Sequence, residues 1–187
     1  DRLIRLEGEW NQTVRVPTLS DVRLAQATNW DTPQWLSEPA ALPSTPAEAV
    51  YFDIPYLHQA YDVPDWFNGS WACGGTSAVM VLAHYEKLEP WPVTATWPKP
   101  HTSLYGRYIC EQYTVNGFTF DIGGKDPYGR TGYGAYGFII QNNWADTKGN
   151  MARYFQKHSV YSSVDWYPNP GKLVREVDKE MPFVLLN

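Results

Sequence analysis

The feature that most constrains the fold of this chain is a helical pattern of apolar residues over 73–87. The apolar positions recur at helical spacing and form one wide stripe, made of Ala78, Val79, Val81, Leu82, Ala83 and Tyr85. A helix that is apolar over so much of its surface is packed on several sides. Pro90 and Pro92 end the helical region, because proline cannot continue a helix. The sequence therefore predicts one central helix with the rest of a domain around it.

Length, charge and cysteine usage place the chain in a broad class. Its 187 residues suffice for one ordinary domain, with or without an N-terminal appendage. A domain of this size buries roughly 70% of the surface that its unfolded chain exposes, so it requires no disulfide scaffold. The presence of only two cysteines also argues against such a scaffold. The net charge of -5 argues against a nucleic-acid partner. No apolar run approaches the ~18 residues needed to span a membrane.

The composition and the N-terminal patterns suggest how the chain is organised. The first residue is Asp and no signal peptide is present, so we expect a processed chain or a fragment. The mixture of Trp, Tyr, Asn, Gly and Thr is typical of exported bacterial proteins, and we predict a secreted or cell-surface location. Residues 1–24 alternate between apolar and polar and predict one or two strands. The proline-rich stretch 31–49 favours an extended linker. We therefore separate an N-terminal segment, 1–49, from a domain over 50–187.

Beyond the central helix, the domain combines loops, helices and strands. Residues 91–137 are rich in loops and in glycines that supply turns. The other predicted elements, in chain order, are a hairpin around Thr114–Asp121, a helix over Asp146–Lys157, a strand over Ser159–Trp166, a helix over Pro168–Glu180 and a strand over Met181–Leu186. This order is typical of an α+β domain, with a helical lobe followed by an antiparallel sheet lobe. We expect the sheet lobe to be incomplete within these 187 residues.

Cys73 stands where the central helix begins, and Gln59 lies fourteen residues upstream in a Pro-flanked stretch. The N-terminus of a helix presents free backbone N–H groups and a partial positive charge, which favour a thiolate. Gly74 and Gly75 keep side chains away from the sulfur, so that a substrate carbonyl can approach and the Cys73 N–H can face a developing oxyanion. The neutral amide of Gln59 could donate a second hydrogen bond to that oxyanion. The alternative is that Cys73 is a buried small residue and Gln59 a polar loop residue.

The segment around these two residues resembles the nucleophile region of cysteine-peptidase family 39. This family of papain-like enzymes includes the double-glycine leader peptidases of bacteriocin exporters. Its members have a Pro-Tyr-x-x-Gln strand followed by an Ala-Cys-Gly-Pro-x-Ser-x-x-Met-x-Leu helix. The matching residues here are Pro55, Tyr56, Gln59, Ala72, Cys73, Gly74, Ser77, Met80 and Leu82. The chain departs from the pattern at Gly75, where the family usually has proline. Weaker similarity in segments that begin at Ser103, Gly134 and Leu173 extends the resemblance over residues 50–187.

The resemblance implies a papain-like fold and a cysteine peptidase that hydrolyses peptide bonds, with Cys73 as nucleophile and Gln59 in the oxyanion hole. In the family, a catalytic His follows the strand that Pro182–Leu186 matches, and an Asp or Asn follows that His. Neither is found at that place in this sequence. We therefore expect both partners beyond Asn187, in the same polypeptide or in its C-terminal fragment bound as a second chain.

The four histidines that are present do not fit the expected place of a catalytic base. His58 would point away from the neighbouring amide on a strand. His84 lies eleven residues along the central helix from the thiol, ~16 Å up its axis. His101 lies in a Pro-flanked loop and is the best candidate among the four, while His158 ends the second predicted helix. Because the histidines show no metal-ligand spacing such as H-E-x-x-H, we predict no metal and no other cofactor.

Aromatic residues near the candidate nucleophile predict a groove for a peptide or protein substrate. Trp71, Tyr105 and Tyr133, together with Gly74, are the predicted lining residues, although ordinary loop packing is an alternative for each. Cys110 has no glycine context and is predicted to be a buried thiol, and a disulfide between the two cysteines stays open. Two other functions also stay open: a catalytically inactive binding module, and a cell-wall peptidoglycan amidase or endopeptidase. The upstream glutamine favours chemistry, because a binding module has no use for an oxyanion donor.

Overall fold

The chain divides into two units, Asp1–Asp53 and Ile54–Asn187. The computed structural model describes residues 2–6, 12–16, 52–141, 144–167 and 169–185. In the first unit, strands β1 (Arg2–Leu6) and β2 (Gln12–Val16) pair antiparallel. The strands predicted within residues 1–24 are therefore confirmed. The predicted linker over 31–49 lies outside the described residues.

The second unit combines short helices with small antiparallel sheets. Its α-helices are α1 (Cys73–His84), α2 (Arg107–Cys110), α3 (Gly134–Ile140), α4 (Thr147–Lys157) and α5 (Pro170–Asp178). Its strands form three two-stranded antiparallel pairs in the described part of the chain: β3 (Val93–Ala95) with β4 (His101–Ser103), β5 (Thr114–Val115) with β6 (Phe118–Thr119), and β7 (Gly124–Lys125) with β8 (Thr131–Gly132). Two 3₁₀ turns, Gly69–Trp71 and Trp144–Asp146, precede α1 and α4, and Ala72 separates the first turn from α1. The chain is thus mixed α and β, with small antiparallel sheets.

Helix α1 is the centre of the core, as its apolar stripe predicts. Ala78, Val79 and Leu82 are completely buried, and the helix packs against α2, α3 and α4. Every residue of α3 is buried. The helix ends at His84, three residues before the predicted end, and Glu86 has a left-handed backbone with φ 54°.

The helices and the hairpin predicted after the central helix are confirmed, but the two later strands are wrong. Residues 159–167 contain no strand, and Ser159 has a left-handed backbone with φ 60°. The polar groups of this segment are bound by α4 instead: Ser162 Oγ donates to Ala152 O at 2.7 Å, and Gln156 Nε2 donates to Ser162 O at 3.2 Å. Over 181–185 the side chains alternate between exposed and half-buried, but no strand pairs with this stretch within the described residues.

None of the helices in the described part of the chain has the length and apolar character that crossing a membrane requires.

His158 lies in an aromatic cluster with the rings of Tyr113, Phe120 and Tyr154, and it is held there as a neutral ring. Its Nδ1 lies 2.8 Å from Tyr154 O, which can only accept, so this nitrogen carries the proton. Its Nε2 then accepts from the Tyr113 hydroxyl at 3.0 Å, and Tyr113 in turn accepts from the Tyr154 hydroxyl at 2.7 Å. Burial lowers the pKa of His158 below its usual value of 6.5, although the bond to Tyr154 O acts in the opposite direction.

We expect the protein to lose stability as the pH falls below about 6.5, the ordinary pKa of histidine. In that range the unfolded chain binds a proton at His158 that the folded chain does not bind, so the free energy of unfolding decreases. The loss is about 1.4 kcal/mol for each pH unit between the pKa values of the unfolded and folded states, and it stops once the folded ring is protonated. Urea unfolding at several pH values measures this slope. His158→Gln should flatten it, and an equal slope in that variant would contradict the assignment.

Candidate functional site around Cys73

Cys73 is the first residue of α1, and its side chain is exposed. The preceding residue, Ala72, provides no side-chain cap, so the first N–H groups of the helix lack the partner that a cap would supply. The 3₁₀ turn before it is ordered by its own cap, because Asn68 Oδ1 accepts from the N–H of Ser70 at 3.0 Å. The thiol therefore stands in solvent at the positive end of a twelve-residue helix.

Gln59 is fixed to the turn that leads into α1. Its Nε2 donates to Gly69 O at 2.8 Å, and the same carbonyl accepts from the N–H of Ala72 at 2.9 Å. The two backbones also touch, since a Cβ at Gly69 would lie 1.7 Å from Gln59 O. The candidate oxyanion donor and the candidate nucleophile are thus joined through Gly69, four residues before Cys73.

Gly69→Ala should destabilise the protein, because a methyl group there would collide with the backbone of Gln59. The new carbon would lie 1.7 Å from Gln59 O and 2.4 Å from the carbonyl carbon, so the backbone itself must move. We expect the free energy of unfolding, measured with urea, to fall by roughly 1–3 kcal/mol. Gly171→Ala is the matched control. Its Cβ would meet only ordinary contacts, at 3.4 Å from Asn169 Oδ1 and beyond. Equal stability of the two variants would contradict the close contact at Gly69.

The two glycines after the cysteine have different roles. Gly75 is buried, and a Cβ there would lie 3.0 Å from Tyr136 N and 3.2 Å from Tyr136 Cα. It allows α1 and α3 to approach closely, and the expectation that it clears space beside the sulfur stays a prediction. Gly74 is half-buried, and its Cβ would approach only the flexible end of Met151, at 3.3 Å. Its role in admitting a substrate stays a prediction.

Of the three aromatic residues expected to line a groove, Trp71 is the one next to the nucleophile in the chain, two residues before Cys73. Its ring is 41% exposed and meets the ring of Trp144 edge to face, with centroids 5.7 Å apart. Tyr105 packs against the core and accepts from the N–H of Tyr108 through its carbonyl. Tyr133 precedes α3, and its ring lies over Gly123. The contacts described for Tyr105 and Tyr133 thus connect them to the core and to Gly123.

Each of the four histidines has partners of its own. His58 Nδ1 accepts from the N–H groups of Ala60 and Tyr61, two and three residues further along the chain, both at 3.1 Å. His101 places Nε2 2.8 Å from Asp62 Oδ1 and Nδ1 2.9 Å from the carbonyl of Lys99. The third, at position 84, ends α1, and the fourth, at 158, is buried in the aromatic cluster. The described hydrogen bonds thus pair none of them with the thiol.

No family model, no curated protein and no solved structure matches the chain. Within the described residues there is also no group of three or more His, Cys, Asp or Glu side chains that could hold a metal ion. The interpretation of the site therefore rests on the chemistry of Cys73, Gln59 and their surroundings.

The two thiols differ sharply in environment. Both are free, so the disulfide left open by the sequence is not formed. Cys110 is the last residue of α2 and is completely buried, and burial raises its pKa far above the ordinary value of a thiol. Cys73 is exposed. A water-soluble electrophile thus reaches one thiol of the folded chain and not the other.

The sequence did not point to two residues that the structure places beside the N-terminal end of α1. Trp144 faces Trp71, and the terminal methyl of Met151 lies under Gly74. Both come from the segment around the start of α4, more than seventy residues after the cysteine. No local spacing could connect them to it, because the proximity is created by the packing of α4 against α1.

Proposed function

We propose that this protein is a papain-like cysteine peptidase in which Cys73 attacks the carbonyl carbon of a peptide bond. The observation that supports this most directly is the exposed thiol at the N-terminus of α1, with Gln59 hydrogen-bonded to the turn that precedes it. An inert structural cysteine would be expected in the core, where Cys110 is found.

In the proposed reaction, the Cys73 thiolate adds to the carbonyl and the carbonyl oxygen becomes an oxyanion. The N–H of Cys73 and an N–H of the Gln59 amide stabilise that charge. One N–H of the amide already binds Gly69 O at 2.8 Å, which fixes the group and leaves the second N–H for the substrate. Collapse breaks the C–N bond and releases a protonated amine and a thioester on Cys73, which water then hydrolyses to the carboxylic acid and the free thiol.

The reaction needs a group that accepts the thiol proton and passes it to the leaving amine. His101 and His158 already use both ring nitrogens, and the other two histidines lie beside Gln59 or at the far end of α1. We therefore propose that the base is a histidine outside these 187 residues, oriented by an Asp or Asn, as in the family that the motif resembles. A continuation of the same polypeptide and a separately bound fragment would supply this histidine equally well.

The test is to trap the acyl-enzyme. The purified protein, with any sequence that follows Asn187 retained, is treated with a peptidyl thioester and quenched in acid, and the modified residue is located by mass spectrometry. We expect acylation of Cys73 and none of Cys110, which is the internal control for nonspecific thiol chemistry. Hydroxylamine should remove the acyl group, and the free acid should accumulate with time.

Two outcomes would overturn the proposal. If Cys73 is not acylated, it is not the nucleophile. If it is acylated no faster than a cysteine in an unfolded peptide of residues 68–78, the folded site contributes nothing to catalysis, and a binding module becomes the better description.

A further inference from the structure

An open cavity of about 370 Å³ lies at the C-terminal end of α1, between the segment that follows this helix, α2 and strand β5. The N–H of Lys87 donates to Leu82 O at 2.9 Å, which fixes that segment to the end of the helix. His84 ends α1 and lies ~16 Å along its axis from Cys73, so the cavity is at the opposite end of the helix from the thiol. Its volume falls within the range of small-molecule sites, roughly 300–1,000 Å³.

Three aromatic rings line this cavity: Trp91, Tyr108 and Tyr113. The centroids of Trp91 and Tyr108 are 5.3 Å apart at 71°, and those of Tyr108 and Tyr113 are 4.8 Å apart at 90°. Both tyrosine hydroxyls already have partners, since that of Tyr108 donates to Glu89 O at 2.8 Å and that of Tyr113 lies 3.0 Å from His158 Nε2. The rings are therefore held in three different orientations around the cavity before any ligand binds.

The charged groups at the cavity favour a cation. Glu89 and Lys87 both line it, and none of the ion pairs found among the described residues involves either of them. Burial and the nearby Glu89 carboxylate raise the pKa of Tyr108, so this carboxylate acts on the aromatic wall. Counting Glu86 as well, two carboxylates and one ammonium leave one net negative charge in the segment. The C-terminal end of α1 adds a partial negative charge of its own.

The cation nearest to the wall lies outside the cavity lining and is already neutralised. The guanidinium carbon of Arg107 is 5.3 Å from the ring centroid of Trp91, and Arg107 pairs with Glu111 at 3.0 Å. Because Arg107 is not one of the lining residues, it leaves the cavity side of the indole open to a second cation.

We propose that this cavity binds a small organic ammonium ion of the choline type, with its N-methyl groups against the three rings and its charge near Glu89. Aromatic rings attract a cation through their quadrupole, and walls of several rings are the usual way in which proteins recognise quaternary ammonium groups. Such a group has no N–H to donate, so ring surface and a nearby carboxylate suit it better than a set of hydrogen-bond acceptors. The site is separate from Cys73 and goes beyond the proposed function.

The experiment titrates the purified protein with choline chloride, followed by calorimetry and by the NMR signal of the Trp91 indole N–H. The matched probe is 3,3-dimethylbutan-1-ol, which has the shape of choline without its charge. We expect choline to bind and to shift the Trp91 signal, and the neutral probe to bind at least about fivefold more weakly. An equal concentration of sodium chloride is the control for ionic strength.

Two charge variants should change the affinity for choline in opposite directions. Glu89→Gln should weaken binding by about threefold or more, because it removes the attracting carboxylate. Lys87→Gln should strengthen it by a similar factor, since it removes the repelling ammonium. Glu180→Gln, at an exposed carboxylate that does not line the cavity, should leave the affinity unchanged. Trp91→Ala should weaken binding by about fivefold or more, because it removes one aromatic wall.

Absence of saturable choline binding beyond the sodium chloride control would overturn the proposal. Equal affinities for choline and its neutral analogue would do the same, since the cavity would then be only an apolar pocket. Changes of the same sign in the two charge variants, or an equal loss in Glu180→Gln, would contradict the role of Glu89. If Trp91→Ala fails to fold, the two exposed charge variants decide. Acylation of Cys73 tests the proposed function independently, and Glu89→Gln should leave its rate unchanged.

Discussion

Cys73→Ala is expected to abolish peptide hydrolysis while leaving the fold intact. In a hydrolase that forms a covalent acyl intermediate, removing the nucleophile lowers kcat by a factor on the order of 10⁶, which places turnover below detection. The substitution should cost little stability, because the side chain is exposed at the start of α1 and no core contact is lost. Release of product from a peptide that wild type cleaves is the measurement.

Cys110→Ala is the matched control, since it removes the other thiol. That side chain is completely buried, so its loss should lower the free energy of unfolding by about 1 kcal/mol through the cavity left behind. Turnover should persist. The expected pattern is therefore opposite in the two variants: activity lost with stability kept for Cys73, and stability reduced with activity kept for Cys110. Full activity of Cys73→Ala would end the peptidase interpretation.

Local patterns in the sequence are enough to predict α1, because every residue of its apolar stripe lies within one continuous segment. They were misleading for α3. The glycines around Gly134 and Gly137 predict turns, but the segment is a helix that is buried throughout. A Cβ at Gly137 would lie 2.1 Å from Ile122 O, so the glycine is there for a close approach of two backbones and not for a turn. Such a contact is tertiary and has no signature in the spacing of residues.

The site shows the same division between local and tertiary information. Cys73 at a helix start and Gln59 upstream could be selected from residue types and order, and the structure ties both to Gly69. The contact between Gln59 and Gly69 could not be predicted, because the sequence around Gly69 does not reveal which backbone it touches. The position of Trp144 could not be predicted for the same reason, since only the packing of α4 brings it to Trp71.

Gln59→Ala should lower kcat by roughly 10²–10³, the usual effect of removing one oxyanion donor. The loss should appear mainly in kcat and little in KM, because the hydrogen bond forms with the oxyanion and hardly at all with the ground-state carbonyl. Gln59→Glu should be at least as damaging, since a carboxylate cannot donate and would repel the developing negative charge. Steady-state kinetics on one peptide substrate give both parameters.

A second effect of the substitution has to be separated from the first, because the Gln59 amide also holds Gly69 O at 2.8 Å. If the residue only ordered the turn before Cys73, its removal would reduce stability and the reaction of the thiol with a simple alkylating reagent, which forms no oxyanion. If it stabilises the oxyanion, alkylation of Cys73 should continue at nearly the wild-type rate while hydrolysis falls. Gln112→Ala, at an exposed glutamine, should change neither rate. Parallel losses of alkylation and hydrolysis in Gln59→Ala would make Gln59 a positioning residue and remove it from the oxyanion hole.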